Sequence, residues 1–237
     1  MLCKIADLFV EVPEAGGLAP RCQDYRWDGN PEGEVVVIRE DLYEPQWWQG
    51  LTYDNMCYME SGYQFNSNLV NHGGMRLHAS AVAWKGRAYL FSAPCGTGKS
   101  THRQMWQQLY GEDAAVVFND DKPALRLIDD KWYAYGTPWC GKNGINKNMR
   151  VPLAGICFLK QAPENQIRRM TSAEIIPSVI DQTNWRWRTQ DEMIRLLDNL
   201  EKLIQKVPVF LLECTPTIDA AKLSSETMSR AADEAGL

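Results

Sequence analysis

Ala93-Pro94-Cys95-Gly96-Thr97-Gly98-Lys99-Ser100 is the stretch that decides the fold. It reads A-x-x-x-x-G-K-S, a phosphate-binding loop with alanine in place of the first glycine. The run before it, Arg87 to Ser92, is apolar and aromatic and predicts a strand. The run after it, Thr101 to Leu109, predicts a helix. Strand, glycine-rich turn and helix form the setting in which such a loop works. Glycines leave backbone N–H groups open to an anion, and the next helix adds unpaired N–H groups and the positive end of its dipole. Pro94, Cys95, Gly96, Thr97, Gly98 and Thr101 then contribute backbone to a polyphosphate. Lys99 reaches the outer phosphates, and the Ser100 hydroxyl faces Mg²⁺.

The rest of the chain sets bounds on this reading. Its 237 residues, 45% hydrophobic and 23% charged, suffice for one large domain or a core with a small appended layer. No apolar run reaches the roughly 18 residues of a membrane span, so none is expected. The net charge of -5 points away from nucleic acid. Asp7 falls too early for a secretory signal. Seven dispersed cysteines without C-x-x-C spacing read as reduced thiols in a cytoplasm. They form no zinc pattern with His72, His78 and His102. Cys95 reads as a small residue that fits the loop, or as a thiol made reactive by the helix start.

Elements follow from periodicity and turn residues. Ile5 to Val12 and Glu34 to Arg39 predict strands, and Tyr53 to Val70 a helix capped by Asp54 and ended by Asn71-His72-Gly73-Gly74. Leu77 to Trp84 and Arg87 to Phe91 predict a hairpin about Lys85-Gly86, and Ala114 to Phe118 a short strand. A second hairpin turns at Asp129-Asp130, and Gly136 to Met149 is a loop rich in Gly, Asn and Lys. Leu153 to Leu159 and Val207 to Cys214 predict strands, and Ala220 to Ala232 a helix. Gln190 to Gln205 predicts an amphipathic helix with Met193, Leu196, Leu197, Leu200, Leu203 and Ile204 on one face. The sum is an α/β chain: a β-rich N-terminal subdomain over 1–74 and a nucleotide-binding core over 75–237.

Asn119-Asp120-Asp121 follows the predicted strand Ala114 to Phe118. Carboxylates there, beside a phosphate loop, are placed to hold Mg²⁺ or to deprotonate a nucleophile. The plainer reading is a polar turn into Lys122-Pro123. A lone His78 in a strand reads by itself as a satisfied core residue. Asn184-Trp185-Arg186-Trp187-Arg188 reads as two core tryptophans with solvated arginines, or as a surface that stacks on and pairs with an acidic or peptide substrate.

Leu77-His78-Ala79-Ser80-Ala81-Val82, then a hairpin, the Gly96-Thr97-Gly98-Lys99-Ser100 loop and Asp120-Asp121 together resemble the HPr serine kinase/phosphorylase family. That family shares its nucleotide core with ATP-dependent phosphoenolpyruvate carboxykinases. The resemblance covers roughly residues 75–160, about a third of the chain. It implies a P-loop core of that kind, and ATP and Mg²⁺ as cofactors. By it, Lys99 holds the phosphates, Ser100 and Asp120 hold the metal, Asp121 takes the proton from a serine hydroxyl, and His78 is the active-site histidine. The family's Glu-x-Arg-Gly corresponds to Pro152-Leu153-Ala154-Gly155, so both charged side chains are missing. Lys142 and Arg150 are the candidate replacement cations, with Gly136 to Asn148 as a lid or substrate loop. The C-terminal helix signature for HPr is also missing. The expected partner is therefore a hydroxyl acceptor on a protein, a peptide or a small molecule, with a homo-oligomer left open. The second expectation is a nucleotide-binding regulator with little turnover. A carboxykinase-like decarboxylase is disfavoured by the short chain.

Overall fold

The computed structural model describes residues 1–14, 16–183 and 189–237. Asn184 to Arg188, the Trp-Arg run, lies outside the described residues. Short strands open the chain: β1 (Leu2–Ile5) and β2 (Leu8–Glu11) pair antiparallel, and β3 (Val35–Val37) joins β2 in parallel. Ala6 and Asp7 make the turn with φ of 51° and 58°, a left-handed pair that brings the strands back on themselves. The single strand expected over Ile5 to Val12 is therefore a hairpin. Its turn lacks the usual Gly or Asn, which is why the apolar alternation ran through it. α1 (Tyr53–Asn71) starts at Thr52, whose side chain accepts from Asn55 N–H, not at Asp54, which sits in the first turn.

Next come β4 (Gly74–Arg76), β5 (Ala79–Trp84), β6 (Arg87–Ser92), α2 (Lys99–Tyr110), β7 (Ala115–Asp121), β8 (Ala124–Ile128), β9 (Lys131–Tyr135) and β10 (Arg150–Gln161). The chain closes with β11 (Gln166–Arg169), α3 (Ser172–Gln182), α4 (Gln190–Lys206), β12 (Val209–Cys214) and α5 (Ile218–Glu234). Among the described residues β4 to β12 join in one nine-stranded sheet of order β4-β8-β9-β10-β6-β5-β7, with β12 on β10 and β11 on β12. β10 makes the sheet curl. Arg150 to Pro152 pair with β9, whereas Leu153 to Gln161 run parallel to β6 and β12. The chain is thus mixed α/β with a curled sheet.

Both faces of that sheet are covered, which explains its near-continuous apolar strands. Ile175 and Val179 of α3 and Leu196, Leu200 and Leu203 of α4 pack on Ala81, Leu90, Ile156 and Phe158. Trp106 of α2 and Ala221, Met228 and Ala232 of α5 pack on Val82, Tyr89, Phe91 and Cys157. Leu197, expected inside, is 39% exposed. No helix of the described residues is long and apolar enough to cross a membrane.

Two boundaries differ from expectation where the chemistry lies. β5 begins at Ala79 and not at Leu77, because Leu77 N–H turns to Pro123 O and His78 N–H to Gln182 O. β7 includes Asn119, Asp120 and Asp121, so the acidic pair ends a strand and does not follow it as a turn.

His102 fastens α2 to α5. Its Nε2 lies 3.0 Å from Ser224 Oγ, and its ring meets Phe91 edge-on. Burial holds its pKa down to about 4. The unfolded chain takes up that proton near about 6.5, so this part of the stability is present at neutral pH and lost as pH falls from 6.5 toward 4. Urea unfolding at pH 7 and pH 5 is expected to show wild type losing about 2 kcal/mol more than His102→Gln. Equal losses would contradict a buried neutral imidazole.

Candidate functional site

The Ala93–Ser100 loop leaves β6 at the C-terminal end of the parallel strands β6, β10 and β12, the edge where open α/β sheets bind ligands. Gly96 and Gly98 have φ of +81° and +116° with nothing within 4 Å of an added Cβ. Backbone conformation, not lack of space, demands glycine there. Gly98 caps α2 without a side chain, so the loop brings none of its own to the first-turn N–H groups. Lys99 Nζ folds onto Ala93 O at 2.7 Å and Pro94 O at 3.3 Å. Burial lowers its pKa, against the opposing pull of Asp121, Cys95 and Asp120.

A bulge sets the acidic pair. The β5–β7 register shifts at Phe118, so Ser80 faces Asp120 and Ala79 faces Asp121. Asp120 collects donors from three elements. Ser80 Oγ bonds Oδ1, while Ser100 Oγ at 3.4 Å, Arg103 Nη2 at 3.2 Å and Asn143 Nδ2 at 3.0 Å converge on Oδ2. Burial pushes this carboxyl up, but the bonds from Ser80, Asn143 and Arg103 outweigh it and hold it below the usual range.

Asp121 has φ +131°, a strained value for a side-chain-bearing residue. Its Oδ1 lies 3.2 Å from His78 Nε2 and its Oδ2 3.7 Å from Lys122 Nζ. His78 Nδ1 in turn meets Gln182 Oε1 at 3.1 Å. Burial raises the Asp121 carboxyl, but His78, Lys122 and Arg76 bring it below the usual range. Burial and the Arg76 charge pull Lys122 down to about 8 in spite of Asp121.

The Gly136 to Met149 loop lies along β7. Asp120 N–H donates to Ile145 O, Lys147 N–H to Phe118 O, and Asn119 Nδ2 to Thr137 O. Gly141 is at φ +68°, which disfavours a side chain, and a Cβ there would crowd Asp121 Cβ at 3.0 Å and Asp120 O at 3.2 Å. The result is a cleft of about 480 Å³ walled by His78, Lys99, Ser100, Asp120, Asp121 and Asn143. A neighbouring cleft of about 630 Å³ opens on the α5 side of the loop, between Gly96–Gly98 and Lys160, Gln161, Thr215 and Pro216.

The structure therefore brings His78, Lys99, Ser100, Asp120 and Asp121 together, with Cys95, Gly96, Gly98 and Thr101 on the same wall. Thr97 turns its carbonyl to Gln161 Nε2, and Pro94 supplies only a carbonyl to Lys99. Pro152 to Ala154 lie elsewhere. Pro152 pairs with Tyr133 and Leu153 with Ala88 at the start of β6, whereas the loop leaves β6 at Ser92. Arg150 is also away from the site, paired with Asp7 and lying over Tyr133. Of the two candidate cations only Lys142 lines the cleft. Sequence reasoning missed Ser80, Arg76, Arg103, Lys122 and Asn143. Arg103 carried a signal, standing one helical turn after Lys99 and so on the same face.

Comparison with known proteins adds the following. Residues 55–217 match the family model described as SynChlorMet cassette protein ScmC. No curated protein matches the sequence. Among solved structures, the HPr(Ser) kinase/phosphatase from Coxiella burnetii is similar at 13% identity and a TM-score of 0.38, over 66% of this chain and 94% of that one.

Asp120 and Arg103 form a buried pair, with side chains 8% and 7% exposed. Asp120→Ala strands the guanidinium and is expected to cost about 3–5 kcal/mol in urea unfolding. Adding Arg103→Met is expected to recover more than half of that loss. Additive losses in the double variant would show that the pair does not act as a unit.

Proposed function

The chain belongs to the SynChlorMet cassette protein ScmC family, and from its site we propose that it is a Mg²⁺- and ATP-dependent phosphotransferase acting on a hydroxyl. The proposed core is the phosphate-loop core of HPr-kinase type that its sequence resembles. One observation carries the reading: a single cleft gathers a glycine loop, Lys99, Ser100 and two carboxylates that differ in their partners.

The residues fit the cofactors. Ser100 Oγ and Asp120 Oδ2 are hard oxygen donors 3.4 Å apart, close to the roughly 3 Å between adjacent oxygens around Mg²⁺. Bound there, Mg²⁺ supplies charge neutralisation to phosphate oxygens. The N–H groups from Gly96 to Thr101 and the Lys99 ammonium bind and orient the phosphates. The cleft beside Thr97, Gln161 and Pro216 receives the rest of the nucleotide. His78, fixed by Gln182, holds the Asp121 carboxylate in place. Asp121 takes the proton from the acceptor hydroxyl. Its charge is retained at neutral pH because His78, Lys122 and Arg76 outweigh the cost of burial. Arg103 steadies Asp120 and holds no phosphate.

A nucleotide-binding regulator with little turnover is the second reading. The four donors on Asp120 favour it, since they satisfy the carboxylate without a metal. Calorimetry with Mg·ATP, alongside ADP release with and without hydroxyl acceptors, separates the two. Lys99→Ala is expected to weaken nucleotide binding by roughly a hundredfold, about 2–3 kcal/mol. Asp121→Asn is expected to hold affinity within about threefold and to lower transfer by about 10²–10⁴-fold. Undiminished transfer by Asp121→Asn would overturn the kinase reading. Tight binding without any turnover in wild type would leave the regulator.

A further inference from the structure

Beside the phosphate-loop cleft, on the side away from Pro216, lies a second cleft that shares residues with it, about 380 Å³ and lined by Arg21, Tyr58, Met59, Asp121, Lys122 and Lys142, with Asp54 as its other acid. It meets the phosphate-loop cleft at Asp121, Gly141 and Lys142, which line both. Asp121 therefore stands at the junction of two spaces, one beside the glycine loop and one beneath α1.

Cations outnumber acids in this cleft: Arg21, Lys122 and Lys142 line it against Asp54 and Asp121. Lys122 is 8% exposed, and among the described residues its ammonium pairs with one carboxylate, at long range. Asp121 Oδ2 and Met59 Sδ are each 3.7 Å away, and the Tyr58 ring centroid lies at 4.7 Å. Asp121 is also shared with His78 at 3.2 Å, and it is the acid whose charge favours the fully buried Arg76. Arg21 stacks over Tyr58 at 4.8 Å and donates to Gly141 O at 3.0 Å. Among the described residues neither Arg21 nor Lys142 makes an ion pair. A buried ammonium resting on a thioether and an aromatic face is costly unless an anion completes its shell. Tyr58, which holds Gly141 N–H at 3.1 Å, also fixes the wall between the two clefts.

We propose that this second cleft is the acceptor site and that the acceptor is a small hydroxy acid: its anionic group sits on Lys122 and Arg21, and its hydroxyl faces Asp121. This rests on the phosphotransferase reading of the neighbouring cleft. The 3.7 Å between Lys122 Nζ and Asp121 Oδ2 sets the spacing, placing the hydroxyl within about two or three bonds of the carboxylate or phosphate carbon. The volume lies at the small end of the roughly 300–1,000 Å³ of ligand clefts, which suits a molecule of a few carbons. In the step, the hydroxyl oxygen forms a bond to the outer phosphorus of the nucleoside triphosphate. The bond from that phosphorus to its bridging oxygen breaks, the nucleoside diphosphate leaves, and the hydroxyl proton passes to Asp121.

The test uses the full chain with Mg²⁺ and a non-hydrolysable ATP analogue, titrated calorimetrically with lactate, glycerate, malate and glycerol 3-phosphate. Glycerol is the uncharged control, and each titration is repeated without the analogue. At least one of the four acids is expected to bind below ~1 mM, and glycerol not to bind. Lys122→Met is expected to weaken that acid by about tenfold or more and Arg21→Gln by about threefold or more, with affinity for the analogue held within about twofold. Arg21 is only partly buried, so its variant provides a reading independent of any folding defect at Lys122. The proposal is overturned if none of the four acids binds better than glycerol, or if both variants bind the acid as wild type does. Acid binding that depends on Lys122, with no binding of the analogue, would keep this site and remove the kinase reading. Binding of the analogue with no acid binding would do the reverse.

Discussion

One buried carboxylate organises the site. Asp120, next to last in β7, faces Ser80 of β5, takes Arg103 from α2 and Asn143 from the long loop, and lies within reach of Ser100. The four donors come from three parts of the chain, so α2, the β5–β7 edge and the loop over it share one anchor. An unpaired carboxylate at this depth would cost several kcal/mol. With its donors in place it remains charged and rigid, and its neighbour is free for another task.

That neighbour lives in a different environment. Asp120 is bound by neutral donors and one guanidinium. Asp121 faces His78 and Lys122, with Arg76 behind, on backbone held at positive φ. Backbone strain of this kind persists only where the surroundings impose it. Gly141 packs closely on Asp121, where a Cβ would stand 3.0 Å from Asp121 Cβ, and Tyr58 holds the Gly141 N–H. Two adjacent acids thus acquire separate partners, and each is held below the usual carboxylate range in spite of its burial.

Local features were legible in the sequence, and long-range ones were not. The Ala93–Ser100 loop, the turn at Lys85-Gly86 and the hairpin at Asp129-Asp130 stand where turn chemistry puts them. Glycine and lysine at fixed offsets also made Lys99 and Ser100 readable. Ser80 and Asn143 were hidden because their roles arise from register and from a loop path, which no local pattern encodes. The bulge at Phe118 is what gives Asp120 its serine. Arg76 and Lys122 were hidden because a lone cation in sequence reads as surface. Their burial comes from α1 lying across the sheet edge. Pro177 interrupts the apolar pattern of α3 and masks it in the sequence, although the Thr171/Glu174 capping box marks its start. Pro152 to Gly155, which align with the HPr kinases' Glu-x-Arg-Gly in sequence, lie away from the site, opposite Tyr133 and the start of β6. β10 is twelve residues long and runs from the far end of the sheet to the site, so position along it mattered more than a match of small residues.

The central claim is that the Ala93–Ser100 loop and Asp120 hold the phosphates and metal of a nucleotide while Asp121 faces its outermost phosphate. A crystal structure of the full chain with Mg²⁺ and a non-hydrolysable ATP analogue tests it most directly. The expected result is a triphosphate wrapped by the N–H groups of residues 96–101, the metal between Ser100 and Asp120, and the outermost phosphate turned toward Asp121. A nucleotide seated in another cleft, or a triphosphate on the loop with its outermost phosphate pointing away from Asp121, would contradict it.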